Sequence, residues 1–180
     1  MAIVVQGNAG EDDRLLLWVL VWSELIAFGI LLVSFLVVSS VNAQAFELAR
    51  LHLSPGLAAA NTMVLLSSGY LAAVALRRRQ DVVRVRRPLA IAAVLGLVFV
   101  AIKCIEYTGE IRFAADATLS TFFELYFIIT GFHLLHVIFG SLLLALVAWR
   151  PMPGNVVLIA TLWHAIDLVW LVMFPILYLA

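Results

Sequence analysis

Thr121 to Arg150 reads TFFELYFIITGFHLLHVIFGSLLLALVAWR. The run has no proline, one carboxylate, Glu124, and two histidines three residues apart, His133 and His136, flanked by Gly131 and Gly140. Residues at i and i+3 share a helix face, so both imidazoles leave one helix in the same direction. The run exceeds the roughly 20 apolar residues that cross a bilayer. Ionisable groups at that depth are costly without partners. The other segments of the chain are therefore read as the source of those partners.

Composition agrees with a membrane setting. The chain of 180 residues is 65% hydrophobic and 12% charged, with a mean hydropathy of +1.13. A soluble domain is apolar over about half its residues and carries about twice that charge. The formal net charge of +0 gives no electrostatic case for nucleic acid. One cysteine, Cys104, excludes an internal disulfide and any CxxC metal or redox motif. The N-terminus, MAIVVQGNAGEDDR, lacks a basic region and a cleavage site ahead of the apolar run, so no removable signal peptide is expected.

Five segments are long enough to span: about 15–41, 57–76, 88–107, 118–149 and 155–179. Ser54 is a candidate cap for the second, with Pro55 in its first turn, and Pro88 marks the start of the third. None alternates with period two, which argues against a barrel. The expectation is one all-α membrane domain over residues 1–180, a five-helix bundle with short connections. The run RRRQDVVRVRR, Arg77 to Arg87, holds six of the eleven Lys and Arg. Basic loops stay cytoplasmic, which puts the N-terminus, with Arg14, and the Arg150 loop inside. The segments around 47–52 and 110–116 and the C-terminus then fall outside. Trp18 and Trp149 on the inner side and Tyr178 on the outer suit an interfacial aromatic belt; Trp163 and Trp170 are too deep for one and read as packing residues.

The polar residues within these spans form the candidate site. They are Glu24 in the first; Asn61, Thr62, Ser67 and Ser68 in the second; Lys103 and Glu106 in the third; Glu124, Thr130, His133 and His136 in the fourth; and His164 and Asp167 in the fifth. A lipid-facing charge is costly, so the group is expected to form a buried polar network. Spacing of i, i+3 lets Lys103 pair with Glu106 and His164 with Asp167. Glu24 belongs to the inner half and Glu106 to the outer, so these two do not meet. Gly69, Gly96, Gly131 and Gly140 are candidate close-packing points. The histidines admit two readings: hydrogen bonds that tie helices together, or haem ligation by His164 with His133 or His136. A proton or substrate path through Glu24, Glu106, His133 and Asp167 would suit a small transporter, but no inverted repeat accompanies it.

Five stretches, one per span, carry a resemblance: WSELIAFG (22–29), ANTMVLLSSGYLAAVAL (60–76), LGLVFVAIKCIEY (95–107), YFIITGFHLLHVIFG (126–140) and LWHAIDLVWLVMFPILYL (162–179). In this order they resemble subunit III of the haem–copper oxidase superfamily, in its short form without the first two of seven helices. Lys103-Cys-Ile-Glu106-Tyr107, Leu119-Ser-Thr-Phe-Phe, the Leu134-Leu135 pair and the Phe174-Pro175-Ile-Leu-Tyr ending look most like the accessory subunit associated with bacterial nitric oxide reductase.

The resemblance implies a non-catalytic role beside a haem–copper catalytic subunit in a bacterial inner membrane. Haem and non-haem metal are then expected in the partner and none in this chain, with structural phospholipid in a cleft between helix groups. A haem–copper centre needs six histidines and a binuclear copper site two close cysteines; this chain has four histidines and one cysteine. Glu24 matches the family's Ser-Glu motif, His133 and His136 the helix-four histidines, and His164 with Asp167 the helix-five pair. Subunit III of an aerobic cytochrome c or quinol oxidase is the alternative within the family. A small haem-binding membrane protein or a transporter is the alternative outside it.

Overall fold

A computed structural model of the chain describes residues 8–179. Part of the N-terminal stretch used to argue against a signal peptide, residues 1–7, lies outside them. Among the described residues there are six α-helices and no strand: α1 Asn8–Val41, α2 Ala43–Arg50, α3 Pro55–Arg77, α4 Val82–Glu110, α5 Ser120–Trp149 and α6 Pro153–Tyr178, with a 3-10 turn at Phe113–Ala115. All but α2 are long and apolar enough to cross a membrane. The all-α, five-span architecture expected from the sequence is present.

Helix boundaries differ where local capping outweighs the proline signal. Pro88 lies inside α4. The helix starts six residues earlier because the Asp81 carboxylate accepts the Val83 and Arg84 N–H groups, each at 3.1 Å, and so satisfies two of the four free donors at the terminus. The basic run is mostly helical as a result, with Arg84, Arg86 and Arg87 on the first turns of α4. Ser54 makes no side-chain cap bond, and α3 opens on Pro55 at its first position. The presumed loop near 47–52 is mostly the short helix α2. In the 111–119 connection, the Thr118 hydroxyl and N–H both donate to Asp116. They hold its carboxyl below the usual carboxylate value.

Packing follows a repeat near 3.5 residues. On α4 the buried positions include a row of Val85, Leu89, Ala92, Gly96, Phe99, Lys103, Glu106 and Glu110, spaced alternately four and three, with Pro88 and Ala93 buried beside it. On α3 they include Ala58, Thr62, Leu65, Gly69, Ala72 and Ala75. This is the seam spacing of left-handed helix pairs. In lipid, association rests on close van der Waals contact and small residues rather than on expelling water. Gly96 and Gly140 make room for one ring: a Cβ on either would overlap the Trp163 indole. Gly69 likewise leaves space for the Asp167 carboxylate. Gly131 has nothing near its missing Cβ; it is not the close-packing point expected of it.

Helices α3, α4, α5 and α6 pack in a ring, each against its neighbours, and α1 lies outside against α5 and α6. The hold on α1 is narrow: among its described side chains, Val21, Phe28, Leu32 and Phe35 are the buried apolar ones. Helix α2 closes one end of the bundle. Its Phe46 ring sits 5.2 Å from both Phe35 and Phe122, and Arg50 donates to the Ile176 carbonyl at 3.4 Å. Chain alternation gathers Arg77, Arg78, Arg79, Arg84, Arg86, Arg87 and Arg150 at the opposite end. Trp163 and Trp170 are buried packing residues, and Trp18 and Trp149 are exposed. Tyr178 does not join an exposed belt; it is 6% exposed and turned inward.

Gly140→Ala is expected to destabilise the protein in detergent by about 1–3 kcal/mol through overpacking against Trp163, whereas Gly131→Ala, with open space, is expected to change stability by less than about 1 kcal/mol. Denaturant titration of the two variants side by side is the measurement; equal losses would contradict the packing described.

Candidate functional site: two polar clusters in the bundle

The first cluster centres on Lys103, 1% exposed, at the end of the bundle away from the arginines. Its ammonium has three hydrogens and three oxygens to receive them: Glu106 Oε2 at 2.9 Å, Tyr126 Oη at 2.6 Å, and Tyr178 Oη. Tyr178 in turn donates to Glu106 Oε1 at 2.7 Å, and Tyr126 to Glu110 Oε1 at 3.1 Å. Tyr107, adjoining, donates to Thr130 at 2.6 Å. The Nζ also lies 4.8 Å from the Tyr126 ring centre and 5.2 Å from that of Tyr178, within cation–π range. Helices α4, α5 and α6 are thus joined through one cation.

The i, i+3 pairing of Lys103 with Glu106 is present as expected. Sequence reasoning missed Glu110, Tyr126 and Tyr178, all buried in the same cluster. A signal for Glu110 was available, because 103, 106 and 110 continue the four–three register of α4.

The second cluster lies where α1 meets α5 and α6. Glu24 Oε2 is 2.8 Å from His136 Nε2, close enough for an ion pair but without hydrogen-bond alignment, and His136 Nδ1 is 2.7 Å from the Phe132 carbonyl. Both side chains are only partly buried. They border a narrow cleft, with a free volume of only about 10 Å³, whose apolar walls include Leu25, Phe28, Leu162, Ile166 and Val169. His133 lines the same cleft but is fully buried. Its ring stacks on Trp170, with centroids 5.3 Å apart, and meets Phe28 and Phe99 edge-on. Neither ring nitrogen has a hydrogen-bond partner. The expected cross-helix hydrogen bonds of His133 are absent because its neighbours are aromatic rings rather than acceptors.

The remaining candidates disperse. Asp167 is buried against α3 at Gly69, with Oδ2 3.9 Å from His164 Nδ1, a loose pair. Its Oδ1 has no partner. Asn61 donates to the Phe99 carbonyl at 3.2 Å and Ser68 to the Ala92 carbonyl at 2.7 Å, both tying α3 to α4. Trp163 donates to Ser68 at 3.1 Å and Trp170 to Thr62 at 2.9 Å, tying α6 to α3. Glu124 is exposed and takes no part in the buried network expected to include it. It falls one residue off the α5 seam of Phe123, Tyr126, Thr130 and His133.

The histidines do not converge. His136 turns to α1 and His164 to α3, and the faces and edges of His133 are taken by aromatic rings. Among the described residues no three His, Cys, Asp or Glu side chains gather as metal ligands. The chemistry on offer is instead a clamp at one end and a carboxylate–imidazole pair at a cleft mouth.

Two substitutions test these assignments. Lys103→Met strands Glu106 and is expected to cost about 3–5 kcal/mol, with part of the loss restored in Lys103→Met/Glu106→Leu, because an unpaired buried charge is worse than none. His133→Leu removes a ring without polar partners and is expected to stay within about 1 kcal/mol of the parent. Equilibrium unfolding in detergent measures both; a double variant no better than the single, or a large loss at position 133, would contradict the geometry.

Comparison with known proteins agrees in one direction. Residues 14–180 match the family model described as cytochrome c oxidase subunit III. The cytochrome c oxidase subunit 3 of Synechocystis is 32% identical over 130 residues, which is 66% of this chain and 54% of that one. The protein of the same name from Thermostichus vulcanus is 31% identical over 131 residues, 66% of this chain and 63% of that one. The probable quinol oxidase subunit 3 of Staphylococcus saprophyticus is 24% identical over 184 residues, covering 97% of this chain and 92% of its own length. The chain thus spans little more than half to three-fifths of the first two relatives and nearly all of the third. With five membrane-length helices and a match across residues 14–180, the chain is a multi-pass membrane protein that belongs to the cytochrome c oxidase subunit III family.

Proposed function

We propose that this chain is a non-catalytic accessory subunit that packs against the catalytic subunit of a respiratory haem–copper complex. The observation that carries this reading is the family match over residues 14–180 in a chain with only four histidines. Those four are too few for a haem–copper centre, and three of them face different neighbours in the bundle. Haem and non-haem metal then belong to the partner. The interior of this chain serves to hold a fixed outer surface: the Lys103 clamp and the Trp163 and Trp170 ties lock α3 to α6 together. The cleft edged by Glu24 and His136 is too narrow to take in an acyl chain, but its polar mouth over apolar walls offers a phospholipid a surface to lie against.

The finer proposal names nitric oxide reductase as the complex. It rests on the likeness of Lys103-Cys-Ile-Glu106-Tyr107, Leu134-Leu135 and Phe174-Pro175 to the accessory subunit of that enzyme. A second reading, an oxygen-reducing cytochrome c or quinol oxidase, is favoured by the names the relatives carry. The proposed setting is a bacterial inner membrane with the arginine end cytoplasmic, since cytoplasmic ends carry the excess of Lys and Arg. That orientation puts the N-terminus inside and the C-terminus in the periplasm.

Affinity purification of the tagged chain from its native membrane is expected to bring down a haem-containing subunit, visible as a Soret band, with nitric oxide consumption in the eluate. Oxygen consumption without nitric oxide consumption would favour the oxidase reading. A chain that purifies alone, from cells whose respiration is unchanged by its deletion, would end both.

A further inference from the structure

The arginine end of the bundle contains a groove that the accessory role does not use. It lies between the C-terminal turns of α3 and the N-terminal turns of α4, is open to its surroundings and has a volume of about 410 Å³. Arg78, Arg84 and Arg87 border it, and Leu71, Pro88 and Ile91 form much of its wall. We propose that this groove is a binding site for one anionic phospholipid, with the phosphate held by the arginines and an acyl chain laid along the wall.

The arrangement along the two helices carries the inference. Leu71 on α3 precedes Arg78, the residue just past the end of that helix, by seven residues; on α4, Ile91 follows Arg84 by seven. Each step is about two turns, or roughly 10 Å along the helix axis. The groove therefore has a cationic mouth at the bundle end and an apolar floor two turns deeper, on both helices at once. An amphiphile with a charged head and a hydrocarbon tail matches that gradient. A soluble anion would meet the mouth and leave the floor bare.

Charge accounting points the same way. Asp81 is the acidic group at this end of the groove, and it is already engaged: it caps α4 and pairs with Arg84 at 3.1 Å. Arg78 and Arg87 have no carboxylate partner among the described residues. Guanidinium groups bind phosphate oxygens in a planar, two-pronged way. Basic pockets between membrane helices on the cytoplasmic side are a recurrent seat for anionic headgroups. The other arginines of the run, Arg77, Arg79 and Arg86, lie outside the groove lining and provide an internal control of equal charge.

The test is native mass spectrometry of the purified chain in nonionic detergent, titrated with phosphatidylglycerol and with phosphatidylcholine of the same chains. One phosphatidylglycerol is expected to be retained about tenfold better than phosphatidylcholine, by analogy with charge-assisted phosphate contacts. Arg78→Gln/Arg84→Gln/Arg87→Gln is expected to lose that preference. Arg77→Gln/Arg79→Gln/Arg86→Gln is expected to keep it to within about twofold, because diffuse charge alone would weaken both alike. Equal loss in the two triple variants would overturn the site in favour of diffuse attraction. Equal retention of both lipids would overturn it, as would displacement of phosphatidylglycerol by inorganic phosphate. If the groove variant fails to fold, Arg87→Gln against Arg86→Gln takes its place, with selective loss expected only in the former.

Discussion

A single buried ammonium sets much of this structure. Lys103 is 1% exposed, so its ammonium is shut off from direct contact with solvent by the chain itself. Its stability in that position depends on every donor having an acceptor. Those acceptors come from three helices: Glu106 on its own helix, Tyr126 on α5 and Tyr178 on α6. The requirement fixes the rotation of α5 and α6 about their axes and their depth against α4. The apolar seam alone would tolerate a slip of register far better, since leucine and alanine contacts are not directional. One cation therefore specifies what the seam only permits.

The fold was legible in the sequence because length and hydropathy are enough to count spans. Which face of each span turns inward was much harder to read. In a soluble helix, a polar face marks the outside. Here the outside is also apolar: Leu135, Phe139, Leu142 and Leu146 on α5 are all exposed. The usual contrast therefore vanishes, and only small and polar residues report the interior. Lys103, Glu106, Asn61 and Ser68 were placed correctly inside on that basis. Glu124 was misplaced because a carboxylate one turn into α5 was treated like one at its centre. Near a helix end such a group can reach the headgroup region.

The aromatic residues show the same difficulty. Tyr178 near the end of the last span reads as an interfacial residue by position, yet its hydroxyl is a bond in the Lys103 cluster. The deciding fact is a partner on α4, distant in sequence and close only after folding. His133 erred in the opposite direction. Its polarity suggested hydrogen bonds, but Trp170, Phe28 and Phe99 surround it and leave both nitrogens without a partner. Neither outcome could be derived from spacing, because both depend on what the neighbouring helix presents at the same depth. The capping of α4 by Asp81 was by contrast a local feature, and the Pro88 signal masked it.

The thin attachment of α1 has a consequence for how the protein is made. Its carboxylate, Glu24, pairs with His136, which lies over a hundred residues later in the chain. At typical translation rates that interval is roughly 5–20 s. Through it, α1 is already synthesised while the helices that receive its seam do not yet exist. Until then Glu24 is without its histidine, and docking of α1 must wait for α5 and α6. Helix α1 therefore precedes both of its receiving helices in the order of synthesis and reaches its seat only once they are in place.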